Sequence, residues 1–140
     1  MNVVTTVAVA SNIKLIQSVY EAFGRGDVAF IVGRVTDDTQ WDFAVADSDV
    51  PWHSAVHGHA GVPHFLAAFA DNVALATFEP RHFVASGDDV IVDVHLAYTV
   101  RKTGKPVDED QLHWWSIRDG KVTRLRHFED TRQVIDAWHG

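Results

Sequence analysis

The feature that most limits how this chain can fold is a hairpin pattern in its last quarter, from Leu112 to Thr131. Two stretches that alternate apolar and polar residues flank the dipeptide Asp119-Gly120, which is typical of a tight turn between antiparallel strands. Side chains in a strand point alternately to opposite faces, so the length of the turn decides which residues share a face. The two histidines of the hairpin, His113 and His127, therefore share a face in one register and lie on opposite faces in another.

The first possible register has a two-residue turn made of Asp119-Gly120 alone. It pairs Ile117 with Val122, and regular alternation from that pair places His113 on the same face as Arg126. In this register the two histidines lie on opposite faces of the sheet.

The second possible register has a three-residue loop, Arg118 to Gly120, in which Gly120 takes the left-handed conformation after a type I turn. It pairs Ile117 with Lys121. His113 and His127 then become diagonal neighbours, with backbones roughly 7–8 Å apart, and both can contact one small ligand. The face that they share also carries Trp115, Thr123, Leu125 and Glu129. Local rules for turns do not choose between the two registers.

Length and composition limit the class of protein. The chain has 140 residues, 46% of them hydrophobic, which suits one globular domain that buries about two-thirds of the surface exposed by the unfolded chain. The 12 basic and 19 acidic residues give a net charge of −7, which disfavours nucleic acid and anionic membranes as partners. Cysteine is absent, which excludes disulfide and thiolate chemistry. Because no secretory signal or membrane-length apolar run is found, we expect a soluble, cytoplasmic protein.

Helical spacing of apolar residues predicts three helices before the last strands. The first runs from Ser11, a possible N-cap, to Gly24, whereas the residues up to Ser11 lack periodicity and are predicted to form a loose arm or a short edge strand. A second, shorter helix follows Asp27 and ends before the turn at Asp37-Asp38. The third helix spans Gly58 to Asn72.

Period-two alternation predicts strands, and the loop from Ala46 to His57 between the first strand and the third helix could cover the mouth of a pocket. The clearest strand is apolar at every second position from Val90 to Val100, so one of its faces is predicted to be buried. A short closing helix is marked by Val134, Ile135 and Trp138. The predicted strands are Thr39–Val45, Ala74–Ser86, Val90–Val100, Asp110–Ile117 and Lys121–Glu129. This order predicts a single α+β domain over residues 1–140, in which a curved, mostly antiparallel sheet wraps around the three helices and leaves a central cavity.

Four histidines close in sequence, at positions 53, 57, 59 and 64, suggest a metal site, because imidazole is a common zinc ligand. Their spacing matches no metal motif and no cysteine lies nearby, so we predict no metal and interpret them as a solvated cluster that caps a loop. The acidic run from Asp108 to Asp110 is likewise predicted to be a solvated turn.

Short segments along the chain resemble the nuclear transport factor 2-like (NTF2-like) superfamily, and in particular its SnoaL-like branch. In chain order they are VYEAFGRGD, TDDTQWDF, HGHAGV, KTGKP and WSIRDGKVTRLRHFEDT, and together they cover nearly the whole chain. The resemblance implies a cone-shaped α+β fold, often dimeric, which includes ketosteroid isomerase, limonene epoxide hydrolase, polyketide cyclases and many binding proteins. It also implies the three-residue loop, with His113 and His127 facing the cavity.

Position by position, the resemblance to these enzymes is incomplete. Where ketosteroid isomerase has its general base this chain has Phe43, with Asp42 on the opposite face. The Asp-Arg-Asp set of limonene epoxide hydrolase is absent, because its counterparts here are Val94, Leu96 and His127. The SnoaL-type cyclases resemble this chain more, since one of their two key positions, a histidine, is matched by His113.

The candidate catalytic residues are His127, His113 and Tyr20. An imidazole with an ordinary pKa near 6.5 suits proton transfer at neutral pH, so His127 is the candidate base. By resemblance, His113 and Tyr20 occupy the positions of oxyanion donors. The alternative for all three is a hydrogen-bonded residue of the cavity wall. The candidate pocket residues are Trp41, Phe43, Phe65, Phe69, Trp115, Leu125 and Glu129.

These observations predict an enzyme of isomerase, cyclase or hydrolase type that needs no cofactor and acts on a small, apolar carbonyl compound or epoxide. One alternative is a non-catalytic protein of the same fold that binds an apolar ligand. A second alternative is a protein-interaction module that uses the convex face of the sheet. A homodimer formed through a sheet face is implied by the resemblance.

Overall fold

The computed structural model describes residues 3–140, with side chains from residue 7 onward. Four helices and six strands are formed, and a short 3-10 turn at Pro51–His53 lies in the loop after the first strand. The helices are α1 (Val3–Gly24), α2 (Val28–Val32), α3 (Gly58–Asn72) and α4 (Thr131–His139). The strands are β1 (Val35–Phe43), β2 (Val56–His57), β3 (Val73–Ser86), β4 (Asp89–Val100), β5 (Pro106–Arg118) and β6 (Lys121–Phe128).

The six strands form one curved, open sheet in the order β2-β1-β6-β5-β4-β3. All neighbouring strands are antiparallel except β1 and β6, which are parallel. Helices cover the concave face of the sheet, so the predicted α+β class and the mostly antiparallel sheet are confirmed. None of the described helices is long and apolar enough to cross a membrane.

Strand β4 has one buried face, as its alternation predicted. Every second residue from Val90 to Val100 is buried, and the residues between them are only partly buried. Because β4 lies between β3 and β5, its backbone is hydrogen-bonded on both sides and its apolar stripe forms the middle of the core.

The predicted loose arm up to Ser11 is wrong for the described residues, because α1 already begins at Val3. On α1, Val7 is 58% exposed, and Ala8 and Ala10 are also exposed. A helix segment that buries no face needs no apolar periodicity, and alanines such as Ala8 and Ala10 favour helix by propensity alone. Residues 1 and 2 of the predicted arm lie outside the described residues.

The loop between β1 and β2 turns inward and does not form a solvated cluster. Trp52 is 1% exposed and His53 is 5% exposed, so the interpretation of His53 as a solvated loop cap is wrong. The ring of Trp52 packs edge-on against Phe69, Tyr98 and Trp138, which fixes the loop between α3, β4 and α4.

The turn of the last hairpin has two residues, so the three-residue loop is wrong. Asp119 and Gly120 have φ angles of 51° and 75°, as a type I′ turn requires, and Ile117 pairs with Val122. With this turn, regular alternation along both strands would place the two histidines on opposite faces.

A β-bulge immediately after the turn restores the shared face. The register shifts between Ser116 and Ile117, so that Ser116 pairs with Arg124 and Thr123 is the extra residue on β6. His113 and His127 consequently lie directly opposite each other, closer than the predicted diagonal arrangement.

Candidate functional site

A cavity of about 60 Å³ lies between the concave face of the sheet and helices α1 and α3. By the volume that one buried water needs, it has room for about four water molecules. Its wall is mostly aromatic and aliphatic, and the polar side chains that line it come from α1, β5 and β6. Besides the predicted residues, the lining comprises Val19, Phe23, Ile31, Leu66, Phe78, Leu96 and Gln111.

Most of the residues predicted for the site line this one cavity. All three candidate catalytic side chains, Tyr20, His113 and His127, are in its wall. Six of the candidate pocket residues accompany them: Trp41, Phe43, Phe65, Phe69, Trp115 and Leu125. Glu129 is not part of the lining and lies behind it.

His127 presents an unprotonated ring nitrogen to the cavity. Its Nδ1 lies 3.0 Å from the backbone carbonyl oxygen of Asp42, which only accepts hydrogen bonds, so Nδ1 carries the proton. Nε2 therefore has the lone pair, and it has no hydrogen-bond partner among the described residues. The ring stacks on Phe43 at a centroid distance of 4.1 Å and an interplanar angle of 7°, which fixes its orientation.

Burial keeps His127 uncharged. Desolvation lowers its pKa to about 4, although the backbone carbonyl and charge of Asp42 act in the opposite direction. The His113 ring lies 4.8 Å away, and burial followed by the proximity of His127 lowers the pKa of His113 well below its ordinary value. Both imidazoles are therefore neutral at pH 7.

Both ring nitrogens of His113 are already hydrogen-bonded within the protein. Nε2 lies 2.8 Å from Oε1 of Gln111, and Nδ1 lies 2.8 Å from the hydroxyl oxygen of Tyr20. The amide oxygen of Gln111 can only accept, so His113 donates from Nε2 and accepts at Nδ1. This neutral form agrees with the lowered pKa of His113.

Tyr20 is fixed by the same chain of hydrogen bonds. Its oxygen accepts from Nε1 of Trp115 at 2.9 Å, and its proton is donated to Nδ1 of His113. Burial raises the pKa of the Tyr20 hydroxyl above its ordinary value. In this arrangement the protons of Tyr20 and His113 are both engaged within the protein, and their role as oxyanion donors stays a prediction.

Behind His113 lies a second group of buried polar side chains, which the sequence did not reveal as a site. Gln111 is 4% exposed and donates from Nε2 to Oε1 of Glu109 at 2.6 Å and to Oε2 of Glu129 at 3.3 Å. The other carboxylate oxygen of Glu129 contacts Nε2 of His53, whose Nδ1 lies 2.7 Å from the hydroxyl of Ser48.

The interpretation of the run around Glu109 as a solvated turn is wrong, because β5 begins at Pro106. Val107, Glu109, Gln111, His113 and Trp115 alternate inward along β5. Gln111 already lies in the predicted arm Asp110–Ile117, and extending the alternation of that arm by one residue would have found Glu109. The polar side chains at those positions concealed the pattern, because alternation is normally recognised by apolar residues.

Glu109 holds a proton at neutral pH. Burial is the main cause that raises its pKa to about 8, and the nearby Glu129 adds to the effect. Within the described part of the chain, Oε2 of Glu109 has no hydrogen-bond partner.

Trp41 lines the cavity, and its indole N–H is buried without an acceptor among the described residues. On the same strand, Phe43 faces inward, while the Asp42 carboxylate points outward to Arg124 at 3.1 Å and Arg126 at 3.3 Å. The predicted placement of Phe43 and Asp42 on opposite faces of β1 is confirmed.

The remaining histidines of the predicted cluster do not converge. His57 and His64 are exposed, and His59 contacts the backbone carbonyl oxygen of Val35 at 3.1 Å. Within residues 3–140, no three histidine, aspartate or glutamate side chains are arranged to hold a metal ion.

Comparison with solved structures shows the fold. An NTF2-like protein from Burkholderia xenovorans LB400 is 26% identical, and the alignment covers 92% of this chain and 96% of that one, with a TM-score of 0.84. TerC, co-crystallised with polyporic acid, is 28% identical over 93% of this chain and 99% of its own, with a TM-score of 0.78. A candidate polyketide cyclase from Xanthomonas campestris pv. campestris is 20% identical over 93% and 98%, with a TM-score of 0.74.

Sequence comparison assigns the family. No curated protein sequence matches the chain significantly. The model of the SnoaL-like domain matches residues 16–125, which include α1 from its first fully buried residue, the aromatic wall and β5. The chain therefore belongs to the SnoaL-like domain family of the NTF2-like superfamily.

Proposed function

We propose that this protein is a cofactor-independent enzyme that moves a proton on a small, apolar carbonyl compound, with His127 as the base. The observation that carries the proposal is the free Nε2 of His127, a lone pair without a protein partner in a mostly apolar cavity. A proton of a ligand would satisfy this lone pair.

The low pKa of His127 limits which substrate protons it can remove. At neutral pH the imidazole is already unprotonated and ready to accept, but its conjugate acid is strong and returns the proton readily. The proton must therefore come from an acidic position, such as carbon next to a carbonyl group or an enol hydroxyl. Accepting a proton and returning it to another atom of the same molecule is the chemistry of an isomerase or a cyclase.

The size and the lining of the cavity indicate an aromatic or aliphatic ligand. Only small molecules fit into about 60 Å³, so a larger ligand requires side chains of the wall to move. TerC was co-crystallised with polyporic acid, which supports an organic small molecule as the ligand of this chain as well.

The experiment is hydrogen–deuterium exchange of 2-tetralone, an apolar ketone with acidic C–H bonds, followed by proton NMR in deuterated buffer. We expect the wild type to accelerate exchange next to the carbonyl and His127→Ala to lose at least about tenfold of this acceleration, as removal of a general base does. His64→Ala is the matched control, because His64 is exposed on α3. Equal exchange rates for the wild type and His127→Ala would show that His127 is not the base.

A non-catalytic binding protein is the second candidate. It is favoured by the lack of a free donor on Tyr20 and His113, because an enolate formed in the cavity would find little stabilisation there. Under this alternative, polyporic acid would quench tryptophan fluorescence on binding, and His127→Ala would change its affinity, while 2-tetralone would exchange no faster than in buffer.

A further inference from the structure

Gln111 connects the cavity wall to the buried acids behind it. Its amide nitrogen has two protons, and each is directed to a carboxyl oxygen, one of Glu109 at 2.6 Å and one of Glu129 at 3.3 Å. Its amide oxygen faces Nε2 of His113 at 2.8 Å. Turning the amide over would place its oxygen against the carboxylate of Glu129, which only accepts, so Glu129 holds the amide in this orientation.

Residues that do not touch Gln111 also contribute to fixing its orientation. The second oxygen of Glu129 contacts His53, and the side chains of Glu129 and His53 are 2% and 1% exposed. His53 is in turn within 2.7 Å of the Ser48 hydroxyl, which also accepts from the backbone N–H of Val50. The inward loop between β1 and β2 thus supports the carboxylate that orients Gln111.

This orientation decides where the protons of the cavity wall lie. With an acceptor opposite Nε2, a neutral His113 must carry its proton there, so Nδ1 accepts the hydroxyl proton of Tyr20. The hydroxyl oxygen of Tyr20 already accepts from Nε1 of Trp115, so it has one lone pair left for a ligand. His127 offers a lone pair too, because the Asp42 carbonyl fixes its own proton on Nδ1.

We propose that Gln111 is a positioning residue that sets the hydrogen-bond polarity of the cavity, so that Tyr20 and His127 present acceptors and the site selects ligands with a hydroxyl donor. Such ligands are phenols and the enol forms of carbonyl compounds. The choice of ligand rests on the proposed function, whereas the position of the protons does not.

The proton positions are tested by nitrogen-15 NMR of the imidazoles in the ligand-free protein at pH 7. In the wild type we expect His113 to be protonated at Nε2. In Gln111→Met, which keeps the size of the side chain but lacks the acceptor, we expect the proton to move to Nδ1 and the tautomer ratio to change about tenfold or more. His127 is the internal control, because its partner is the Asp42 carbonyl, and it should be protonated at Nδ1 in both proteins.

Two outcomes of this spectrum would overturn the role of Gln111. One is a wild-type His113 protonated at Nδ1, and the other is an unchanged His113 tautomer in Gln111→Met. If Gln111→Met does not fold, Gln111→Asn takes its place, because its amide is one methylene too short to reach His113 from the same backbone position. Since no ligand or turnover is involved, failure here is distinct from failure of His127 as a base.

The ligand preference is tested with two probes, 2-naphthol and 2-methoxynaphthalene, in which a methyl group replaces the hydroxyl proton. We expect the wild type to bind 2-naphthol about tenfold more tightly, by titration of tryptophan fluorescence, because a buried acceptor gains a donor. Equal binding of the two probes, or no binding of either, would overturn the selection of hydroxyl donors and leave the tautomer result intact.

Discussion

At the scale of single residues, burial sets the charge of the ionisable groups around the cavity. The pKa values of His113 and His127 are lowered and that of Glu109 is raised, and desolvation is the first cause in each case. Each of these groups is therefore uncharged at neutral pH. A wall without charge admits apolar molecules and leaves hydrogen bonds, not ion pairs, to select among them.

Glu109 gives the stability of the protein an unusual dependence on pH. Its pKa is about 8 in the folded chain and has an ordinary value of 4.5, so between these values the folded state binds more protons and stability falls as pH rises. The two buried histidines act in the opposite direction, and because unfolded histidine is still half protonated at pH 6.5, their effect fades only towards about pH 7.5. The difference between the wild type and Glu109→Gln isolates the effect of Glu109, because both proteins keep the two histidines.

We expect the free energy of unfolding of the wild type to fall relative to that of Glu109→Gln from pH 6.5 to 8, by up to about 1.4 kcal/mol per pH unit. Urea unfolding of both proteins at three pH values in this range measures the difference. Glu21→Gln, at an exposed position of α1, is the control and should keep the slope of the wild type. Equal slopes for the wild type and Glu109→Gln would contradict a protonated Glu109.

At the scale of elements, the last hairpin shows how two local irregularities combine. With the two-residue type I′ turn at Asp119-Gly120 and no bulge, His127 would lie on the face opposite His113. With a three-residue loop and the bulge at Thr123, it would also lie on the opposite face. When the two-residue turn and the bulge occur together, Val122, Leu125 and His127 all face the core. The hydroxyl of Thr123 donates to the carbonyl oxygen of Ser116 at 3.1 Å, which stabilises the bulge.

Deletion of Thr123 should therefore be tolerated. Without the extra residue, a regular ladder from Ile117–Val122 still brings His113 opposite His127, so we expect a folded protein with the near-ultraviolet circular dichroism of the wild type. Deletion of Arg126 is the matched control, because it reverses the alternation between Leu125 and His127 and should abolish the cooperative thermal transition. Loss of the fold in the Thr123 deletion, but not in the Arg126 deletion, would contradict this account of the register.

At the scale of the whole molecule, the convex face of the sheet carries apolar side chains. Leu112 is 49% exposed and Trp114 is 39% exposed on β5, and their neighbours on β6 are Phe128 and Arg126. We propose that this face forms a homodimer, as the resemblance to the superfamily implied, because burial of such side chains against a second copy is favourable.

The homodimer is tested by light scattering during size-exclusion chromatography. We expect the wild type to elute as a dimer and Trp114→Glu to shift it to a monomer, because a charge in the middle of an apolar interface is strongly unfavourable. Val7→Glu is the control, since Val7 is 58% exposed but lies on helix α1 and not on the sheet. A wild-type monomer would refute the homodimer, and an unaltered dimer in Trp114→Glu would place its interface elsewhere.

The sequence by itself determined the α+β class, the buried stripe of β4 and, with the resemblance, the set of aromatic and histidine side chains around the cavity. These follow from periodicities and segments that are continuous along the chain. The tertiary structure alone decided the bulge, the inward loop with His53, the protonation of Glu109 and the direction of each hydrogen bond at Tyr20, His113 and Gln111. The physical reason is that desolvation and hydrogen-bond partnership arise between residues far apart in sequence, such as Tyr20 and His113, which are 93 positions apart and meet only when the sheet closes over the helices.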